Sequence, residues 1–338
     1  MSQDVPGVPD SSVVVAQPTT RLRISRGTVA KLVVTVAVSA YVLWRAGLGD
    51  ALETLASTEW RYVALATTFA VLAMVLNVKR WQMMLRGQGG PAPLASLVRL
   101  YLIAMFFNNV LPSRFGGDVV RAYGASIVAT SKTRSVAAVF MDRLVGAISV
   151  LLLGVLALVA NPAVIPWQFA QMLLVGLAIS LVALGLLLVR SRLLEGFREA
   201  ALGLANVSIL GLRVRPKLEA AVDAIRSYSR ARRLVGRALA VSMLANGLSI
   251  VNLYLYALSV RADLSLTEVA VVAPVVLAVG VLPLSINGLG TIELTFVILF
   301  GAMGVDSHVA LAVALLRRFV LLALSLVGGL LYAIRRFA

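Results

Sequence analysis

The sequence predicts an all-α, polytopic membrane protein with about six full spans and two re-entrant helical hairpins, arranged as an inverted repeat. Hydrophobic residues make up 60% of the 338-residue chain. Apolar runs recur from about residue 29 to the C-terminus, at lengths that suit helices crossing a bilayer. Two of these runs contain a polar break with proline and glycine. Because irregular backbone at membrane depth persists only where protein buries it or where it lines a cavity, the breaks predict a site.

The positive net charge is explained by basic residues in cytoplasmic loops. The net charge is +16, which in a soluble protein would suggest a nucleic-acid partner. Cytoplasmic loops of membrane proteins collect Lys and Arg, and most basic residues here fall in such loops, so we expect no nucleic-acid partner. The chain has no cysteine and a single histidine, His308. Thiol chemistry is therefore excluded, and we predict neither a metal site nor another cofactor.

The chain begins with a predicted cytoplasmic tail. Residues 1–25 show no hydrophobic period and are predicted to be disordered, whereas 26–338 form a single membrane domain. The run 29–46 follows several basic residues and continues past any signal-peptide cleavage site. We therefore interpret it as an uncleaved first span that starts in the cytoplasm.

The second span returns to the cytoplasm. The loop after the first span carries only acidic charges, Asp50, Glu53 and Glu59, and is predicted to lie outside. The run 60–78 then leads to a basic segment, which contains Lys79, Arg80 and Arg86. This arrangement follows the positive-inside rule.

The first polar break lies in residues 94–128. The part before the break is long enough to cross the membrane, but 119–128 is too short to return from the far side. We therefore predict a hairpin that enters from the cytoplasm and turns at residues 112–117. Residues 135–160 then span outward, and 168–189 span back.

A basic segment separates the two halves of the chain. Residues 190–237 are rich in arginine and are predicted to be cytoplasmic. Within them, 217–233 has apolar positions at helical spacing, typical of an interfacial amphipathic helix near anionic headgroups. An ordinary solvated loop explains the same segment equally well.

The second half repeats the first in the opposite orientation. Residues 238–259 span outward, 265–304 form a second hairpin that enters from outside, and 308–334 span back to a basic C-terminus. Residues 60–160 and 238–334 thus each read as span, hairpin and span. In transporters built from inverted repeats, a central site forms where the two broken segments meet.

The residues around the breaks suit an anionic ligand. The second arm of each hairpin is predicted to begin near Gly117 and Gly290, where free backbone N–H groups and the helix dipole attract a phosphate. Arginines bind phosphate oxygens in a bidentate fork, and carboxylates are their partners in the empty state. The charged candidates are Arg114, Arg121, Arg143, Arg317, Arg318, Asp118, Asp142 and Glu293.

Each of these charges also has a purely structural interpretation. Asp118 and Glu293 lie in a first helical turn, where a carboxylate stabilises the helix dipole. Asp142 and Arg143 could form an ion pair that fixes helix packing. Arg317 or Arg318 could extend to the membrane interface.

Three motifs together resemble one family. They are Asn108-Asn109-x-Leu-Pro-Ser-Arg-x-Gly-Gly-Asp-x-x-Arg, Asp142-Arg143-Leu144 and Pro283-x-Ser-x-Asn-Gly-Leu-Gly-x-x-Glu. The chain resembles the lysylphosphatidylglycerol synthase transmembrane-region, or flippase-like, family, which includes the membrane half of the multiple peptide resistance factor. The resemblance implies a lipid flippase or lipid-binding core. It adds the candidates Asn108, Asn109, Gly116, Gly117, Gly288 and Gly290 to the headgroup-binding set. Ser285 and Asn287, which lie in the third motif, complete the set.

Three functions follow as hypotheses. The first is a flippase that holds an anionic headgroup, from a phospholipid or a polyprenyl phosphate, between the two hairpin tips. The second is a membrane transferase that uses a polyprenyl-phosphate-linked or aminoacylated lipid, with Asp118 or Glu293 as base. The third is a scaffold whose segment 190–237 binds a partner or an anionic lipid. We favour the flippase, in the plasma membrane with both termini cytoplasmic, over an enzyme.

Overall fold

The computed structural model describes residues 26–90, 92–110, 116–128, 131–162, 166–188, 227–228, 231–281 and 285–336. The long elements in these ranges are α-helices. They are α1 (Arg26–Ala46), α2 (Leu48–Ala56), α3 (Trp60–Gly87), α4 (Leu94–Val110), α5 (Gly116–Val128), α6 (Lys132–Ala160), α7 (Trp167–Leu188), α8 (Arg232–Ser259), α9 (Leu266–Val281), α10 (Thr291–Gly301) and α11 (Ser307–Arg336), with a short 3-10 turn at Ile286–Gly288. The predicted all-α class is confirmed.

Four of these helices, α3, α6, α8 and α11, are long and apolar enough to cross a membrane. Helices α1 and α2 together would make a fifth span, although the chain bends by 70° between them. The apolar part of α7, Trp167–Ala183, is shorter. The described residues thus support a multi-pass membrane protein with four or five of the six predicted spans.

Helix α2 corrects one sequence-based prediction, because the acidic segment after the first span is not a loop. Leu48, Ala51, Leu52 and Leu55 recur at helical spacing and give the segment an apolar face. Ala51 is fully buried in a cluster with Leu311 of α11. Asp50 and Glu53 lie between these apolar positions. Acidic residues are common both in loops and on the polar face of an amphipathic helix, so they did not distinguish the two.

The two halves contain the same series of helices. In the first, α3, α4, α5 and α6 have 28, 17, 13 and 29 residues. In the second, α8, α9, α10 and α11 have 28, 16, 11 and 30 residues. Each half is therefore a long helix, two short helices separated by a break, and a second long helix.

The contacts between the two halves are also symmetric. Helices α3 and α8 pack along each other more extensively than any other pair, and Asn252 of α8 donates a hydrogen bond from Nδ2 to the Ala66 carbonyl oxygen at 2.6 Å. Helix α4 of the first half packs on α11 of the second, and α9 of the second packs on α6 of the first. Each half thus packs the short helix before its break against a long helix of the other half.

An ion pair joins the ends of α3 and α8. Arg61 Nη2 lies 2.6 Å from Glu59 Oε2, and Arg261 Nε lies 3.2 Å from Glu59 Oε1. The hydrogen bond from Arg61 lowers the pKa of the Glu59 carboxyl, with a smaller contribution from Arg261. Glu59 therefore stays ionised at neutral pH and marks a water-exposed end of the helix pair.

Gly328 allows the close contact between α4 and α11. A Cβ atom at Gly328 would overlap the carbonyl oxygen of Leu102, which is backbone and cannot rotate away. We expect Gly328→Leu to separate the two helices and to lower the midpoint of thermal unfolding in detergent, because glycine interfaces in membranes depend on backbone contact. Gly247→Leu is the matched control, since a Cβ at that helical glycine meets no atom within 4 Å. Equal midpoints for the two variants would contradict this packing.

Candidate functional site

The two breaks meet in the structure. Asn287, in the second break, donates a hydrogen bond from Nδ2 to Oδ1 of Asn109 at the end of α4, at 2.6 Å. Ser285, at the start of the described part of the second break, has its Oγ 2.9 Å from Thr291 Oγ1. Residues 178 positions apart in the chain are thus in direct polar contact. We call the described residues 108–110 and 116–118, on either side of the first break, the first tip, and we call residues 285–290 the second tip.

The first tip is closed by Asn108. Its Oδ1 accepts a hydrogen bond from the Gly117 backbone N–H at 2.8 Å, so it caps the start of α5. A Cβ atom at Gly117 would overlap both the Ala104 carbonyl oxygen and the Asn108 side chain. Glycine at this position therefore lets α5 begin against the end of α4.

The second tip is held by Glu293. Its Oε2 accepts a hydrogen bond from the Gly290 backbone N–H at 2.8 Å, and its Oε1 accepts from Nε of Arg318 in α11. Arg318 also donates from Nη2 to the Gly288 carbonyl oxygen at 3.3 Å. Asn287, Gly288 and Gly290 have positive φ angles of 51°, 71° and 78°, which a sharp turn requires. One carboxylate and one arginine thus fix this turn to α11.

The same pairing occurs in the first half. Asp118, the third residue of α5, accepts hydrogen bonds from Arg143 of α6, with Nη2 to Oδ1 at 2.8 Å and Nε to Oδ2 at 3.0 Å. Arg121 lies on the other side of Asp118, with Nη1 3.4 Å from Oδ1. The Arg143 side chain is 55% exposed, so it can bind a ligand while it remains beside Asp118.

A buried ion cluster lies behind this pair. Asp142 accepts hydrogen bonds from Arg80 Nε and from Arg121 Nη2, each at 2.7 Å. All three side chains are at most 8% exposed. Arg80 also donates from Nη1 to Ser242 Oγ at 2.6 Å, and the Arg121 guanidinium lies 4.3 Å from the centroid of the Trp81 ring. Such a buried network orients its members and leaves little room for a ligand, although Nε of Arg121 has no hydrogen-bond partner.

The charges of the two halves differ at one matching position. The pair Asp118–Arg143 and the pair Glu293–Arg318 both have a separation of 25 residues. The residue before Arg143 is Asp142, whereas the residue before Arg318 is Arg317. Asp142 has two arginine partners. Among the described residues Arg317 has no hydrogen bond and no ion pair, but it has longer-range interactions with Arg318, Tyr256 and Glu293. Arg317 is partly buried.

Comparison with known proteins assigns the chain to a family. The model of the lysylphosphatidylglycerol synthase transmembrane region matches residues 28–329. The chain belongs to this family. A UPF0104 membrane protein of Pyrococcus horikoshii is 24% identical over 89% of this chain and 95% of its own length. UPF0104 membrane proteins of Methanothermobacter thermautotrophicus and Methanocaldococcus jannaschii are also 24% identical, over 87% and 89% of this chain and over 91% and 92% of their own lengths.

The match with the transmembrane-region family confirms the resemblance predicted from the three motifs. Most of the predicted site residues contact one another, either within the two tips or in the ion pairs of Asp118, Asp142 and Glu293. Arg114 lies outside the described residues, as do Pro112, Pro283 and the larger part of the basic segment 190–237, including most of the predicted amphipathic helix. Gly116 is the first residue of α5.

Three expectations about the site need correction. The backbone N–H groups of Gly117 and Gly290 are not free for a phosphate, because Asn108 and Glu293 already accept their hydrogen bonds. Asp142 does not pair with Arg143, since its partners are Arg80 and Arg121. Arg318 does not extend to the interface, because it pairs with Glu293.

Sequence reasoning missed Arg80 and the polar side chains beside it. The sequence pattern predicts that Arg80 lies in a basic cytoplasmic segment, but α3 continues to Gly87 and buries Arg80. Trp81, Met84 and Leu85 continue the apolar helical period beyond residue 78, and this signal could have extended the span. The other missed residues, Ser149, Ser242 and Asn246, form hydrogen bonds next to Arg80. In the described ranges, no three carboxylate or histidine side chains are grouped as a metal site would require.

Proposed function

We propose that the protein moves an anionic lipid headgroup across the membrane through the junction of the two tips. In this proposal α4–α5 and α9–α10 are re-entrant hairpins that enter from opposite sides, within an inverted repeat of six spans. The observation that carries the proposal is the contact between Asn109 and Asn287, because it joins the two polar breaks. Beside each break, among the described residues, an acid is paired with an arginine. A single hydrogen bond between neutral side chains contributes about 0.5–1.5 kcal/mol, so thermal motion can open it.

The charges around the junction favour an anion. In the first half, Arg80, Arg121 and Arg143 face two aspartates, so one positive charge is unbalanced. In the second half, Arg317 and Arg318 face Glu293 alone. Unbalanced cations are costly at membrane depth unless a partner neutralises them. The phosphate of a phospholipid or of a polyprenyl phosphate would supply that partner, while its acyl or prenyl chains remain in the bilayer.

The residues have different roles in this proposal. Arg143 and Arg317 bind the headgroup, because one is exposed and the other has no partner among the described side chains. Arg318 and Glu293 hold the second tip, and Asn108 holds the first. Asp142, Arg121 and Arg80 support Arg143 from behind and do not touch the lipid.

A reversible crosslink between the tips tests the proposal. The chain has no cysteine, so Asn109→Cys with Asn287→Cys gives a protein with only these two thiols. We expect a short bis-methanethiosulfonate reagent to stop translocation of fluorescent phosphatidylglycerol in proteoliposomes, and dithiothreitol to restore it. Translocation is followed by the fraction of label that dithionite bleaches from outside.

Two controls make the result specific. Each single cysteine variant, treated in the same way, is expected to keep its activity. The pair Glu59→Cys with Arg261→Cys carries a crosslink at the exposed ends of α3 and α8, away from the tips, and is expected to remain active. If the crosslinked tips transport lipid at the rate of the reduced protein, the junction is not the path.

A further inference from the structure

A second feature near the tips is a seam between α1 and α10. The Ile286 backbone N–H donates a hydrogen bond to Thr35 Oγ1 of α1 at 2.8 Å. A Cβ atom at Gly290 would overlap the backbone of Ser39, one turn further along α1. The two helices then run side by side away from the second tip, toward the end of α1.

The seam widens into a cavity where α1 ends. The cavity has a volume of about 300 Å³, within the range of ligand pockets. One wall is the face of α10 formed by Leu294, Val297, Ile298 and Gly301, which recur at helical spacing. Leu294 directly follows Glu293, so the deep end of this wall adjoins the second tip.

Arg45 stands at the opposite wall of this cavity. It is an exposed residue in the last turn of α1, and in the part of the chain that the structure describes no carboxylate or other side chain pairs with it. Tyr41 and Trp44 lie beside it with ring centroids 6.4 Å apart, and they are 50% and 79% exposed. Exposed aromatic rings at a helix end mark the headgroup level of a membrane. Arg45 is therefore at phosphate depth, and the apolar wall lies below it.

We propose that this cavity binds an acidic phospholipid from the leaflet at which α1 ends. The phosphate accepts hydrogen bonds from the Arg45 guanidinium, and the first part of an acyl chain lies against Leu294 and Ile298. Arginine suits this role because its planar fork matches two phosphate oxygens. The seam then leads to the second tip, so the cavity is a lateral entry for the lipid; this entry role rests on the proposed function, whereas the binding does not.

Native mass spectrometry of the purified protein tests the binding. We titrate palmitoyl-oleoyl phosphatidylglycerol, with palmitoyl-oleoyl phosphatidylcholine as the zwitterionic comparison. Arg45→Gln is expected to weaken the first phosphatidylglycerol site about tenfold, the scale of a lost charge-assisted hydrogen-bond pair. Gly301→Leu is expected to weaken both lipids, because it fills the cavity without steric conflict, as a Cβ there meets no atom within 4 Å.

Matched variants separate the cavity from general effects. Arg61→Gln removes another exposed arginine, which is paired with Glu59, and is expected to leave binding unchanged. Gly185→Leu adds the same side chain at an open position of α7. Equal affinities of Arg45→Gln and the parent chain for phosphatidylglycerol would overturn the proposal, as would equal affinities of Gly301→Leu and Gly185→Leu.

The outcome is independent of the tip experiment. If crosslinked tips stop translocation but neither cavity variant affects binding, the lipid reaches the junction by another route and the cavity proposal is wrong. If the cavity variants weaken binding while crosslinked tips still transport, the lipid site stands and the proposed path fails. An unchanged melting midpoint for Arg45→Gln is part of the expected result, because a single exposed cation in the last helical turn adds little to the stability of the helix.

Discussion

Asp142→Asn is expected to destabilise the protein by about 3–5 kcal/mol, because it leaves two buried arginines without a counter-charge. Arg80 and Arg121 each donate to a different oxygen of this carboxylate, and their side chains are 8% and 5% exposed. The midpoint of thermal unfolding in detergent and the fraction of monodisperse protein measure the effect.

A second substitution distinguishes charge from packing. Arg121→Gln combined with Asp142→Asn removes one buried cation together with the carboxylate, so this double variant is expected to melt above the Asp142→Asn single variant. Asp50→Asn, at an exposed aspartate of α2, is the matched control and is expected to melt with the parent. A melting midpoint of Asp142→Asn close to that of Asp50→Asn would mean that the cluster is not held as the structure shows.

Arg317→Gln is expected to have the opposite profile, with lost transport and unchanged or higher stability. Among the described residues Arg317 has no hydrogen bond or ion pair to lose, and its removal relieves repulsion with Arg318. If its guanidinium binds the lipid phosphate, its loss lowers the affinity by about tenfold or more. Reconstituted translocation of fluorescent phosphatidylglycerol and the melting midpoint, measured on the same preparation, check both parts.

The control for this experiment is an exposed arginine of the basic end of α8. Arg237→Gln removes the same charge at an exposed position and is expected to keep parental transport. Arg317→Lys retains the charge but not the planar fork, so it is expected to recover transport only in part. Normal transport by Arg317→Gln would remove Arg317 from the site and leave Arg143 as the remaining candidate.

Asp142→Asn and Arg317→Gln probe a matching position at which the two halves carry opposite charges. The pairs Asp118–Arg143 and Glu293–Arg318 are equivalent in their 25-residue separation, and both tie the start of a short helix to the middle of a long one. The preceding residue is an acid bound by two arginines in one half and an arginine without a carboxylate partner, among the described residues, in the other. At this position the first half supplies its own counter-charges, whereas the second half leaves a cation without one among the described residues.

The sequence predicted the helical membrane class, the two breaks and the family, because hydropathy, glycine–proline breaks and motif spacing are local properties. It also predicted that Asp118 and Glu293 lie in a first helical turn, which the structure shows. It failed at α2 and at Arg80, where a charged residue inside a helix resembles a loop residue. Burial on a helix depends on which neighbour packs against that face, and no local pattern encodes this.

The sequence by itself therefore determined that this is an all-helical membrane chain with two polar breaks. Long apolar runs must be helical in lipid because unpaired backbone groups are costly there, and for the same reason a polar break in such a run stands out. Only the tertiary structure decided which charges pair. Asp142 selects Arg80 and Arg121 rather than its neighbour Arg143, because adjacent residues on a helix point in different directions. Contact between Asn109 and Asn287 likewise exists because α4 packs on α11 and α9 on α6, which brings the two breaks together across the chain.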